Sequence, residues 1–150
     1  GVGNDSITSD CIVKLTKVVR CNEDSEDKIP SLMLVFTNEK GETITDFRNF
    51  SGKTEEKFAK QVQAHVWTLN TLGAPPNIEE LTEATKDGGK EAFVALFELF
   101  FEKFVEAGEL NDPIGIEVDH DITAQRYVIS RYTDAITAAS SDTEGDDVPF

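Results

Sequence analysis

Between residues 90 and 107, phenylalanine recurs at 93, 97, 100 and 104. The intervals of four, three and four put all four rings on one stripe of an α-helix, and Phe101 and Val105 widen it. A stripe that apolar is stable in water only when something covers it. The default cover is a core shared with the rest of the chain, so the other segments must supply a surface that receives this helix.

They do so as strands. Residues 12–21 (IVKLTKVVRC) alternate: Val13, Leu15 and Val19 on one side, Lys14, Thr16 and Arg20 on the other. This predicts a half-buried strand with a basic outer face. Residues 22–28 (NEDSEDK) are expected to be an acidic solvated loop. Pro30 opens a second strand, 31–37 (SLMLVFT), whose unbroken apolar run predicts burial on both faces. Asn38-Glu39-Lys40-Gly41 is a turn, with Gly41 suited to a positive φ. Residues 42–50 (ETITDFRNF) return as a third strand, with Arg48 and Phe50 sharing a face.

The period then changes. Thr54 caps a helix in which Phe58, Val62, Val66 and Leu69 keep helical spacing, and Gly73 stops it. Trp67 lies off that stripe and is expected to be partly exposed. Ala74-Pro75-Pro76 is a rigid break, Asn77 caps a short helix over 78–85, and Asp87-Gly88-Gly89 precedes the phenylalanine helix, which Gly108 is expected to end. After Pro113 come a fourth strand (Ile114, Ile116 and Val118 inward) and a fifth over 126–132 (RYVISRY), where Tyr127, Ile129 and Arg131 share a face. Residues 1–10 are expected to be loose.

The expected class is therefore mainly β with a helical insertion: one domain over 11–134, its helical section spanning 54–107, and a linker and acidic tail over 135–150. Five strands interrupted by helix between the third and fourth follow the order of the OB-fold, a five-stranded Greek-key barrel that binds oligonucleotides. A sheet with one helical layer fits the same string.

Charge cuts against that use. The chain has 14 Lys and Arg against 29 Asp and Glu, a net −15, and the tail holds only four of the acids. A nucleic-acid role then requires the bases to gather on one face. The strands offer such a set, basic and aromatic residues interleaved: Lys14, Lys17, Arg20, Phe47, Arg48, Phe50, Lys53, Arg126, Tyr127, Arg131 and Tyr132. Positive charge along a backbone track with aromatic faces for bases is the recipe of single-strand binders. Some of these rings must be core.

Catalytic chemistry has no comparable support. His65 and His120 are far apart in sequence, and Asp119-His120-Asp121 points to alternate sides of an extended segment, a poor ligand set for one ion. No phosphate-binding glycine loop, nucleophile elbow or HExxH is present. The expectation is a protein that is not an enzyme and needs no cofactor or metal. Cys11 and Cys21 show no metal or redox spacing, residues 1–10 have no leader-like run, and no apolar run is long enough to span a membrane. A cytoplasmic protein is expected.

The tail carries the most specific pattern. Residues 140–150 (SSDTEGDDVPF) have four acids and no base, and they finish on Asp146, Asp147, Val148, Pro149 and Phe150. An acidic run, an apolar residue, proline and a last phenylalanine resembles the C-terminal tip of single-stranded DNA-binding proteins of bacteria and some phages. The resemblance implies an OB-fold core that coats single-stranded DNA in replication, recombination or repair. It also implies a tip that docks on partner enzymes, Phe150 filling an apolar pocket while the acids meet a basic rim. A homodimer or higher oligomer is compatible with the wide apolar face of the phenylalanine helix. The alternative is an acidic interaction protein, a DNA mimic or tip mimic, that occupies a host replication or repair partner.

Overall fold

The computed structural model describes residues 6–21, 31–50 and 54–134. Within them the chain runs β1 (Cys11–Cys21), β2 (Ser31–Asn38), β3 (Thr43–Asn49), α1 (Glu55–Leu72), α2 (Ile78–Thr85), α3 (Gly89–Leu110), β4 (Ile114–Asp121) and β5 (Arg126–Asp134). The strands form a single five-stranded sheet in the order β3-β2-β1-β4-β5, every neighbouring pair antiparallel. The sheet is not closed by main-chain pairing, so β3 and β5 are its two ends.

Local chemistry sets the helix ends. Thr54 Oγ1 accepts from the Lys57 amide (3.1 Å), and α1 stops at Gly73, whose φ of 90° suits a residue without Cβ. Asn77 and Glu80 exchange hydrogen bonds in a capping box at the start of α2. The phenylalanine helix does not end at Gly108. It continues to Leu110, and Asn111, in the left-handed region with φ 53°, closes it. Gly108 instead faces Leu15 of β1.

The phenylalanine stripe meets the sheet as its spacing requires. Phe97, Phe100 and Phe104 are buried among Leu15, Leu32, Leu34, Phe36, Ile44, Ile114 and Ile116, and α1 adds Leu69 and Leu72. Each such side chain contributes roughly 1.5–3 kcal/mol by leaving water. Phe93 is half-buried beside Phe58 of α1, with ring centroids 5.6 Å apart. By contrast, α2 has no buried residue, and the Lys103–Glu80 ion pair (3.0 Å) ties it to α3.

The arm before β1, expected to be loose, is anchored from Ser6 onward. The amides of Ser6 and Ile7 both donate to the Thr43 carbonyl (2.8 and 3.0 Å), Ile7 is buried, and Asp10 accepts from the Val118 amide (2.7 Å). One isoleucine in a polar stretch is enough to seat it.

Two β-bulges change which way the strands face. In β1 the register slips between Leu15 and Lys17; in β5 it slips between Ile129 and Arg131, opposite Val118 and Glu117. The extra residue carries a hydroxyl each time, and that hydroxyl donates to a carbonyl of the neighbouring strand: Thr16 to Val35 (3.1 Å) and Ser130 to Glu117 (3.1 Å). Beyond a bulge the alternation of faces is shifted by one residue.

Candidate nucleic-acid interface

The first bulge reassigns the basic face of β1. Residues paired across an antiparallel ladder share a face. Leu15 pairs with buried Phe36, but beyond Thr16 it is Val18 and Arg20 that pair with buried Leu34 and Leu32. Arg20 therefore turns inward. Its guanidinium forms a bidentate pair with Glu98 of α3 and lies over the rings of Phe97 (5.4 Å) and Phe101 (4.7 Å). The expected outer-face arginine is a clamp between sheet and helix. Lys14 and Lys17, opposite Thr37 and Val35, are exposed on the face away from the core.

Phe47 joins them there. It pairs with Met33, which pairs in turn with Val19, and it is 40% exposed. The Arg126 guanidinium of β5 stands over it, 4.8 Å from the ring centroid. A cation on the face of an aromatic, with much of the ring still in solvent, offers a nucleic acid a charge for its backbone and an apolar surface for a base.

Arg48 and Tyr132 serve a different purpose. Both point to the core side at the two ends of the sheet. Arg48 Nε donates to Asp46 Oδ2 (2.9 Å), the Tyr132 hydroxyl donates to the same oxygen, and the guanidinium lies over the Tyr132 ring (5.3 Å). Arg48 Nη1 also reaches His65 Nδ1 on α1 (3.3 Å), while His65 Nε2 bonds the Asn49 carbonyl (3.1 Å). Arginine can only donate, so Nδ1 is the acceptor and the proton sits on Nε2. Burial, and then the Arg48 charge, lower the His65 imidazole to about 4, which keeps this neutral tautomer. Burial and the Asp46 carboxylate raise the Tyr132 phenol well above its usual value, so it stays a donor. The network is satisfied internally and joins β3, β5 and α1.

Above this network lies a cleft of about 570 Å³ between β3, β5 and α1. Asp46, Arg48, His65 and Tyr132 form its floor, and Phe47, Asn49, Gln61, Trp67 and Arg131 stand among its walls. Trp67 is 65% exposed, the most exposed aromatic among the described residues. Arg131, turned away from the Tyr127 face by the second bulge, is 71% exposed and reaches Glu117 at 3.5 Å.

Of the remaining expected site residues, Phe50 is fully buried against His65 (4.7 Å), Phe97 (5.1 Å) and Phe100 (6.0 Å), a core ring and no stacking platform. Tyr127 is half-exposed, edge-on to His120 (4.9 Å) near the β4–β5 turn. Lys53 and the tip Asp146, Asp147, Val148, Pro149 and Phe150 lie outside the described residues. Among the described residues, no group of three or more His, Cys, Asp or Glu could hold a metal ion, and no helix is long and apolar enough to cross a membrane.

The structure thus brings Lys14, Lys17, Phe47 and Arg126 to the outer face, and Arg131 to the cleft beside Phe47. It withdraws Arg20, Arg48, Phe50 and Tyr132 into packing. Trp67 is the residue that sequence reasoning left without a role; its place off the apolar stripe was the available signal. No protein-family model matches the chain, and no curated protein does either.

Proposed function

We propose that the chain is a single-stranded DNA-binding protein, without catalytic activity, whose sheet is an OB-fold-like barrel. The observation that carries this reading is the Arg126–Phe47 pair on a face that also holds Lys14 and Lys17. In a chain of net charge −15, Lys14, Lys17 and Arg126 on the face of an exposed ring support the reading, beside the acids Glu117, Asp119 and Asp121 that β4 places on the same face. The barrel reading is supported by the meeting of β3 and β5 side chains at the open edge, where a closing ladder would run. The acidic tip Asp146–Phe150 is the arm for replication or repair partners.

A second reading has an observation of its own. The groove between α2 and α3 sets Glu79, Glu80, Glu83, Asp87, Glu98 and Glu102 against one base in its lining, Lys86, an excess of acid of the kind a DNA mimic would present to a host protein. Titrating labelled oligo-dT at low and moderate salt, with the full chain and with residues 142–150 removed, separates the two. A binder gives salt-dependent affinity that holds or rises on truncation. Absence of binding in both forms overturns the first reading and leaves the second.

A further inference from the structure

Trp67 lines the cleft between α1, β3 and β5, to which the proposed function assigns no role. We propose that the cleft takes up one unstacked nucleobase of the bound strand, with the Trp67 indole as the stacking face. This rests on the reading of the chain as a single-strand binder, and it locates a subsite between α1 of the helical section and the end strands β3 and β5.

Five observations converge on it. A volume of about 570 Å³ falls within the roughly 300–1,000 Å³ of small-ligand clefts. The floor needs no rearrangement to receive a ligand: Asp46 and Arg48 neutralise each other, and Tyr132 and His65 complete their hydrogen bonds. The walls combine an exposed indole with the side chain of Asn49, whose amide carries both donors and an acceptor suited to a base edge. Arg131 stands at the same cleft, mostly in solvent, where a phosphate would pass. Phe47 belongs both to this cleft and to the Arg126 pair, so the outer face and the subsite are continuous. A duplex keeps its bases stacked and has none to offer such a cleft, so the occupant is a base of a single strand.

Trp67 is the chain's one tryptophan, so intrinsic fluorescence reports on this subsite without a label. The full chain is titrated with oligo-dT and with an abasic oligomer of equal length and charge, while anisotropy of a labelled oligo-dT measures affinity separately. The expected result is quenching by oligo-dT and much less by the abasic strand. Trp67→Ala is expected to weaken oligo-dT binding by about tenfold or more, and Trp67→Phe to recover most of the loss. Urea midpoints of both variants check that each is folded. Unchanged affinity in folded Trp67→Ala, or equal quenching by the two strands, overturns the subsite while oligo-dT binding stands. If anisotropy shows no oligo-dT binding by the unmodified chain, the single-strand reading itself has failed and the subsite with it.

Discussion

The hydroxyl of Tyr132 on β5 donates to the Asp46 carboxylate on β3, 86 residues earlier in the chain. The bond links the two end strands of the sheet, which main-chain pairing does not join, and Arg48 extends it to His65 on α1. Removing its parts one at a time should cost unequal amounts. Tyr132→Phe deletes a hydrogen bond to a charged acceptor, worth about 1.5–3 kcal/mol. Asp46→Ala leaves the Arg48 guanidinium largely buried and without its carboxylate, a loss of roughly 3–5 kcal/mol. Urea denaturation of the two variants checks the order; equal midpoints would show that the carboxylate does not neutralise Arg48.

His65 gives the same network a pH dependence. Its folded-state value of about 4 lies below the ordinary 6.5 because burial and Arg48 oppose the charged form. As pH falls, the unfolded chain takes up this proton first, so the contribution is fully present above about 6.5 and is lost between 6.5 and 4. Full loss amounts to roughly 3 kcal/mol. Unfolding free energies measured at steps from pH 7 to pH 4 should fall across that window, and His65→Gln should flatten this part of the curve.

Gly108 is a test of how α3 rests on the sheet. It lies inside the helix, and a Cβ added there would meet Leu15 at 3.9 Å, an ordinary contact. Gly108→Ala should therefore gain the helix-propensity difference, about 0.5–1 kcal/mol, with no strain to offset it. A rise in the urea midpoint at unchanged slope is the expected result; a fall would mean that the helix is closer to β1 than ordinary contact.

The elements were legible in the sequence because each carried its own period and its own stop: the phenylalanine stripe, the caps at Thr54 and Asn77, and the turns at Gly41 and Gly73. Faces were legible only as far as the first bulge. Strict alternation assigns Arg20 to the side of Lys14 and Arg131 to the side of Tyr127, and one extra residue reverses each assignment. The signal was present as two adjacent polar residues inside an alternating run, Thr16-Lys17 and Ser130-Arg131. The cleft was not legible at all. It joins residues 46–49, 61–71 and 129–132, which only the approach of the two sheet ends brings together.

The bulge in β1 also makes the binding reading testable residue by residue. Lys17 is exposed on the face that carries Phe47, whereas Arg20, three residues on, is held by Glu98 and the rings of Phe97 and Phe101. A lysine that neutralises one phosphate of a single strand contributes about 0.7 to the slope of log affinity against log salt. Lys17→Ala should lower the slope for oligo-dT by about that amount while leaving stability within about 0.5 kcal/mol, as surface substitutions usually do. Arg20→Met keeps the apolar stem near Phe101 and removes the charge. It should leave the salt slope and the affinity unchanged while lowering the urea midpoint, because Glu98 loses its partner. Were Arg20→Met to reduce the salt slope as Lys17→Ala does, both bases would face the strand, and the bulge would not separate them in solution.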